Sequence, residues 1–458
     1  MSREIPNFTD SSLSETDEAG GLSDIEQLIT HLTQDGVAAC FAGRHENNAR
    51  YCPQHGSWYL WESGLWRKDD GGGVRNYIRR LAREKNSKGQ SHMGSLNFTN
   101  GAQGFAQTDP RLVISHKELD NDNYLLNTPE GTYNLRTRKM QPQSHLDFIT
   151  KSTAVSQTSV SGGVFPKFLS EITLGDIELQ VFLQRSFGSM LSGAVEEHWI
   201  MFLIGDGRNG KNTLGDVVEY ILGDYAKTIS SSLLLKKAHE GHPTDIANLQ
   251  GLRLATSSEI TEGAYLNMSL IKELTGDSTI SGRFMHQNNF VFQRRHKHLV
   301  YCNSRPSLKT TDLGTKSRIK LVPFKANFAG REDPDLPEKL KREAGFILNW
   351  LIEGHQMWLD NGKKIGSCAA VDEMTADYYD AQPTPETWVS ENCIPVTGHQ
   401  PNKDLPTSGS LYQNYCAWSN ALGEQPLSNT LWGSYMRQHF NSKRASGRTC
   451  YIGIELKS

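Results

Sequence analysis

With 458 residues the chain exceeds what one ordinary core covers, so two or three domains are expected, each long enough to bury an apolar interior. Hydrophobic residues make up 37% and charged residues 22%, and no apolar run approaches the ~20 residues of a membrane helix, so no membrane partner is expected. Lys plus Arg number 48 against 51 Asp plus Glu, and the formal net charge of −3 excludes a global attraction to a polyanion; any nucleic-acid contact has to come from a local basic surface.

The first 22 residues are rich in Ser, Thr, Asp and Glu, which cannot build a core, and show no charged-then-apolar secretion pattern; a disordered tail is expected over 1–22. Seven scattered cysteines without a Cys-x-x-Cys pair read as reduced thiols of a cytoplasmic protein. From 23 to 163, short alternations such as Ser57-Trp58-Tyr59-Leu60-Trp61 before Gly64, and Tyr124-Leu125-Leu126 before Gly131, predict a small α/β domain. Over 164–194, Phe168, Leu169, Ile172, Leu179, Phe182, Leu183, Phe187 and Met190 recur at helical spacing and predict a helical collar.

The segment 195–365 alternates apolar runs (199–204, 252–256, 298–302 and 318–322) with polar or helical stretches, the pattern of an α/β core with a parallel sheet covered by helices. An amphipathic helix is expected over 337–362, a linker over 366–385, and a last domain over 386–458 in which helix, helix and hairpin follow in winged-helix order.

Gly205-Asp206-Gly207-Arg208-Asn209-Gly210-Lys211-Asn212-Thr213 follows the apolar run 200–204 and precedes a helical one, the spacing of a loop whose backbone N–H groups cradle a triphosphate while Lys211 reaches its terminal oxygens. The helix N-terminus adds to the attraction for an anion. The position after the lysine holds Asn212 where a Mg²⁺-ligating hydroxyl is usual, so Thr213 or the Asn212 amide has to substitute. Further along, the run Leu252–Ser258 ends at Glu259, an acid placed to orient the attacking water or hold Mg²⁺, and the run 299–302 ends at Asn303, an amide placed to sense the terminal phosphate. Arg318 is a candidate for a charge-neutralising finger reaching a neighbouring subunit's nucleotide. The basic run Arg294-Arg295-His296-Lys297-His298 is a candidate phosphate-backbone contact, with a solvated face as the bland alternative. Asp120-Asn121-Asp122 has acid-x-acid spacing, but its polar flanks point away from a primase centre; Cys52 and His55 lack a second ligand pair at metal spacing.

These motifs in this order, with Ile271-Lys272-Glu273-Leu274-Thr275-Gly276-Asp277 and Arg283 between the second and third, and Cys302-Asn303, Pro306, Arg318 and Val322-Pro323-Phe324 after them, resemble the superfamily 3 helicase region of phage and plasmid primase-helicases. The resemblance implies an AAA+ core that assembles as a hexameric ring and binds ATP with Mg²⁺ between subunits. It implies single-stranded DNA or a forked duplex in the channel, and a primase or other replication proteins as partners in a bacterial host cytoplasm. It also implies a DNA-gripping hairpin with its tip near 283–289, contributed by Lys272, Arg283 and above all His286. The expected activity is an ATP hydrolase acting as a DNA helicase; an ATP-dependent initiator or loader without processive unwinding shares the same motifs, as does a signalling protein on the same core.

Overall fold

The computed structural model describes residues 33–86, 89–236, 243–258, 260, 264–283, 289–308, 313–380, 385–398, 401, 404–422 and 426–457. Two compact units divide them: residues 33–122 with 142–151, and residues 123–141 with 152–457. The expected domain 23–163 is therefore split, because the hairpin that follows Asp122 and the segment from Ser152 onward pack with the larger unit. The expected tail 1–22 lies outside the described residues.

In the first unit, strands β1 (Ala49–Cys52), β2 (Ser57–Glu62) and β3 (Leu65–Lys68) form an antiparallel meander beside helices Gln34–His45, Gly73–Lys85 and Leu96–Ala106. Phe41, Trp58, Leu60, Ile78, Leu81 and Phe98 fill its core. Asp120 has φ +52°, and its carboxylate accepts from the Thr150 N–H at 2.7 Å and from the Thr150 hydroxyl, closing a loop. His55 is hydrogen-bonded to the Tyr59 hydroxyl at 2.7 Å, and burial pulls its pKa down to about 4.

The larger unit opens with the meander β4 (Leu125–Thr128), β5 (Gly131–Asn134) and β6 (Lys139–Gln141). Its centre is an all-parallel sheet of β7 (Ile200–Ile204), β8 (Ala226–Thr228), β9 (Leu254–Ser258), β12 (Lys297–Cys302) and β13 (Ile319–Pro323), in the order β13-β7-β12-β9-β8. Between them, β10 (Thr279–Gly282) and β11 (Phe290–Gln293) pair as a separate antiparallel ribbon.

Alternation along the strands divides the core into two layers, since successive side chains leave opposite faces of a sheet. Met201, Leu203, Leu299, Tyr301 and Val322 meet helices Val164–Ile172, Ile177–Ser189, Lys211–Leu222 and Ala344–Asp360 on one face. Ile200, Phe202, Ile204, Val300, Cys302, Ile319 and Leu321 meet helix Met268–Gly276 and Tyr378 and Tyr379 on the other. Near-continuous apolar runs of this kind suit strands buried on both faces. The stretch expected as a collar thus belongs to the sheet's own covering layer: a Cβ added at Gly188 would lie 2.2 Å from the Gly354 carbonyl carbon, so this crossing is open only to residues without side chains. The single helix expected over 337–362 is two, Leu336–Arg342 and Ala344–Asp360, broken at Glu343, whose carboxylate accepts from the N–H groups of Val164 and Phe165 at 2.9 and 2.8 Å. The expected linker 366–385 holds helix Ala369–Asp380, and its Thr375 hydroxyl accepts from Leu321 N at 3.1 Å, which ties it to β13.

At the C-terminal end, helices Pro385–Asn392, Ser408–Ala421 and Asn429–His439 surround Trp388, Leu411, Tyr415, Trp432 and Tyr451. The stretch 441–447 contains β15 (Ser442–Ala445), paired to β16 (Arg448–Tyr451) across Ser446 and Gly447, both with positive φ as a two-residue hairpin turn requires. The chain then returns as β17 (Ile454–Leu456) against β14 (Cys393–Pro395). All seven cysteines are free, and among the described residues no helix is long and apolar enough to cross a membrane.

Candidate nucleotide site at the carboxyl end of the sheet

In an open parallel sheet, ligands collect outside the carboxyl ends of the strands where the chain leaves in opposite directions on either side. Here that place lies beyond β7, flanked by β13 and β12, and the loop 205–210 fills it before helix Lys211–Leu222 begins. Gly207, Arg208 and Gly210 have φ of +91°, +48° and +82°, a handedness that lets neighbouring N–H groups converge on an anion. A Cβ at Gly205 would lie 2.4 Å from the Phe324 carbonyl oxygen, so the loop's first residue has room for glycine alone.

Asn209, 2% exposed, donates its amide to the Phe324 carbonyl at 3.1 Å and pins the loop to the end of β13. Gly205 N donates to Cys302 O at 3.3 Å, and Phe328 N to Arg208 O at 2.8 Å. The loop is therefore held from both neighbouring strands before any ligand arrives.

Lys211, 4% exposed, donates from Nζ to Gly205 O and to Asn303 Oδ1, both at 2.8 Å. An ammonium has three donors, so one remains for a third acceptor. Burial lowers its pKa from the usual lysine value, opposed by the nearby Cys302 and Asp206. The structure thus joins Lys211 and Asn303, separated by 92 residues, in one contact.

Asn303 lines a cavity of about 560 Å³ with Asp206, Gly207, Ser304, Arg305 and Lys325. Arg305 and Lys325 are cations that sequence reading missed; the available signal was that each closely follows a strand-end motif, Asn303 in one case and Pro323-Phe324 in the other. Asn212 is exposed and Thr213 half-buried. Thr213 lines another cavity, with Arg208, Gly210 and Phe328, and not the one that Asn303 lines. Arg208 itself pairs with Glu332 at 3.0 Å. Glu259 follows β9 but lies outside the described residues, as does His286.

The expected grip hairpin corresponds to β10 and β11, with Gly282 opposite Phe290; Arg283 follows β10 and is exposed, and Lys272 is half-buried on helix Met268–Gly276. The basic run 294–298 is not the open phosphate contact expected of it. Arg294 is buried, donates from Nε to Asp277 O at 2.7 Å, and has its pKa lowered to about 10 by burial; Arg295 is half-buried. His296, Lys297 and His298 are buried too. The reason is topological: after β11 the chain re-enters the sheet as β12, and this run forms the entry.

Arg318 immediately precedes β13, and its carbonyl accepts from Ile200 N at 2.8 Å, which places it at the amino edge of the sheet. Five strand residues, about 16 Å, separate that edge from the loop 205–210. Within one chain it is not part of the site.

A protein-family profile described as "D5 N terminal like" matches residues 38–174, and one described as a family of unknown function, DUF5906, matches residues 203–318. The chain is similar to a putative helicase of Acanthamoeba polyphaga mimivirus, 26% identical over 242 residues that cover 51% of this chain and 25% of that protein. It is also similar to a putative primase of African swine fever virus, 22% identical over 271 residues that cover 54% and 27%. Each profile covers less than half of the chain, and the similarity is to viral proteins named as putative helicase and putative primase. The chain spans about a quarter of the length of these curated relatives. Its backbone also aligns with the NrS-1 C-terminal region at a TM-score of 0.48 and 9% identity, over 88% of this chain and 94% of that one.

Proposed function

We propose that the chain is an ATP-driven DNA helicase of the superfamily 3, AAA+ type that acts in replication of a viral, phage or plasmid-like element. The observation that carries this reading is Lys211 held between Gly205 O and Asn303 Oδ1 beside a loop of left-handed backbone, with a donor to spare. A triphosphate on the loop N–H groups would take that donor, and Asn303 would register whether the terminal phosphate is present. Arg305 and Lys325 face the same cavity and add positive charge to it. Mg²⁺, when bound with the nucleotide, would neutralise charge on the phosphate oxygens, with Thr213, Asn212 and Glu259 as its candidate holders.

In this reading subunits assemble as a ring, a hexamer, around single-stranded DNA. Arg318, remote from its own chain's loop, acts on the neighbour's nucleotide, and the β10–β11 ribbon with Lys272, Arg283 and His286 meets the strand. The C-terminal helices and the β15–β16 hairpin, which carries Lys443, Arg444 and Arg448, serve as a winged-helix-like module. Strand displacement on a forked duplex tests the whole: ATP and Mg²⁺ are expected to release the displaced strand. DNA-stimulated hydrolysis without displacement would convert the assignment to an ATP-dependent loader.

A further inference from the structure

The cations at 294–298 are turned inward, and an exposed group of cations stands on the first unit instead. Helix Gly73–Lys85, GVRNYIRRLAREK, carries five cations and one acid. Val74, Ile78, Leu81 and Ala82 are buried in the core, and Arg75, Arg79, Arg80 and Arg83 stand exposed. Arg75, Arg79 and Arg83 recur every four residues, about 6 Å apart along the axis. Like charges at that spacing repel and destabilise a helix.

Among the described residues no acid relieves the stripe. The helix's acid, Glu84, accepts from the two terminal guanidinium nitrogens of Arg44, Nη1 and Nη2, at 2.9 and 2.8 Å, and that hydrogen-bonded pair keeps its carboxyl below the usual range. Asp69 at the helix start accepts from Gly73 N and Val74 N at 2.6 and 2.8 Å, and Asp70 pairs with Lys68. Arg75 and Arg79 meet neutral amides, Gln103 at 3.3 Å and Asn76 at 2.8 Å. Among the described residues, none of the four arginines has a carboxylate partner. At the edge of this face Tyr77, 36% exposed, stacks on His45 with ring centroids 5.1 Å apart.

Arginines without counter-charges beside an exposed aromatic ring match the chemistry of a single nucleic-acid strand, whose phosphates take the guanidinium groups and whose bases stack on rings. We propose that the arginine face of helix Gly73–Lys85 binds the backbone of single-stranded DNA, with Tyr77 on His45 as a stacking platform. The contact belongs to the first unit and does not depend on the phosphate-loop reading.

The test is fluorescence anisotropy of the full chain with a labelled oligo-dT, without nucleotide, across a salt series. Changing Arg75, Arg79, Arg80 and Arg83 together to Gln is expected to weaken binding more than tenfold and to flatten the slope of log K against log salt by about 3, at roughly 0.7 per lost phosphate contact. The matching four-fold Arg→Lys variant keeps the slope, which separates lost charge from lost structure. Tyr77→Ala lowers affinity about fivefold and leaves the slope unchanged. An unaltered slope in the Gln variant overturns the proposal. So does a loss seen with poly-glutamate and not with oligo-dT, which would reassign the face to an acidic protein. Since Lys211→Ala should leave all of these results intact, failure of the motor reading stays distinguishable from failure of this one.

Discussion

Two buried lysines at opposite edges of one sheet do opposite work. At the carboxyl edge, Lys211 gives two donors to Gly205 O and Asn303 Oδ1 and keeps one for the cavity side. At the amino edge, Lys297 gives all three, to the carbonyls of Ser189, Ser192 and Ala194 at 2.8, 2.8 and 2.6 Å. Those oxygens belong to the end of helix Ile177–Ser189 and the turn after it, where carbonyls lack partners within a helix. Arg253 supports the same region by donating to Leu191 O and Leu125 O while stacking 4.1 Å from the centre of the Tyr225 ring. A cation with its donors exhausted is a structural cap; one with a donor in reserve is poised for a ligand.

This contrast is open to direct attack. The largest effect is expected from Lys211→Ala: hydrolysis should fall about 1000-fold or more, about 4 kcal/mol of transition-state stabilisation, with the melting temperature little changed. A steady-state ATPase assay beside a thermal melt checks it, and retained turnover would remove the lysine from the site. Lys297→Met should do the reverse, costing about 3 kcal/mol of stability through three orphaned carbonyls while any folded fraction keeps its turnover per molecule; denaturant titration measures this.

Acid should strike the amino edge next. Burial lowers the pKa of His298 to about 3 and that of His355 to about 3, with Arg294 beside the first and Lys297 and Arg253 beside the second adding repulsion. Their unfolded values lie near 6.5, so the unfolded chain takes up protons that the native one refuses. Stability is then full above pH 6.5 and is lost as pH falls toward 3, by about 2 kcal/mol per histidine between pH 7 and pH 5. Equilibrium unfolding at the two pH values, in the parent and in His298→Phe, should show a shallower loss in the variant; equal slopes would contradict the assignment. The smallest effect is expected from Asn303→Ala, which removes one acceptor of Lys211: turnover should drop about tenfold with nucleotide affinity nearly kept, read from kcat against KM.

Much of the larger unit was legible in the chain. The apolar runs at 199–204, 252–256, 298–302 and 318–322 are four of the five parallel strands, each within two residues of its observed bounds, because strands buried on both faces must be apolar throughout. The fifth, Ala226–Thr228, was not visible: three residues at an edge, two of them exposed, leave no such run. The strand, loop and helix around 205–211 were legible from their spacing, and the Lys211–Asn303 contact followed from strand ends that the sheet brings together.

Sequence by itself determined the local elements, namely the strands, the loop and the helix after it, and the rule that any nucleic-acid contact has to come from a local basic surface. Tertiary structure alone decided which cations form that surface. Arg294 and Lys297 read as part of a solvated basic run, yet topology buries them at the amino edge of the sheet, where backbone carbonyls at helix ends accept from them. Arg75, Arg79, Arg80 and Arg83 stand exposed on one helix, and the pairing of Glu84 with Arg44 leaves them unopposed by the acid on that helix. Charge is written in the residue, but whether it is spent inside the fold or left for a ligand depends on which acceptors the fold brings within about 3 Å.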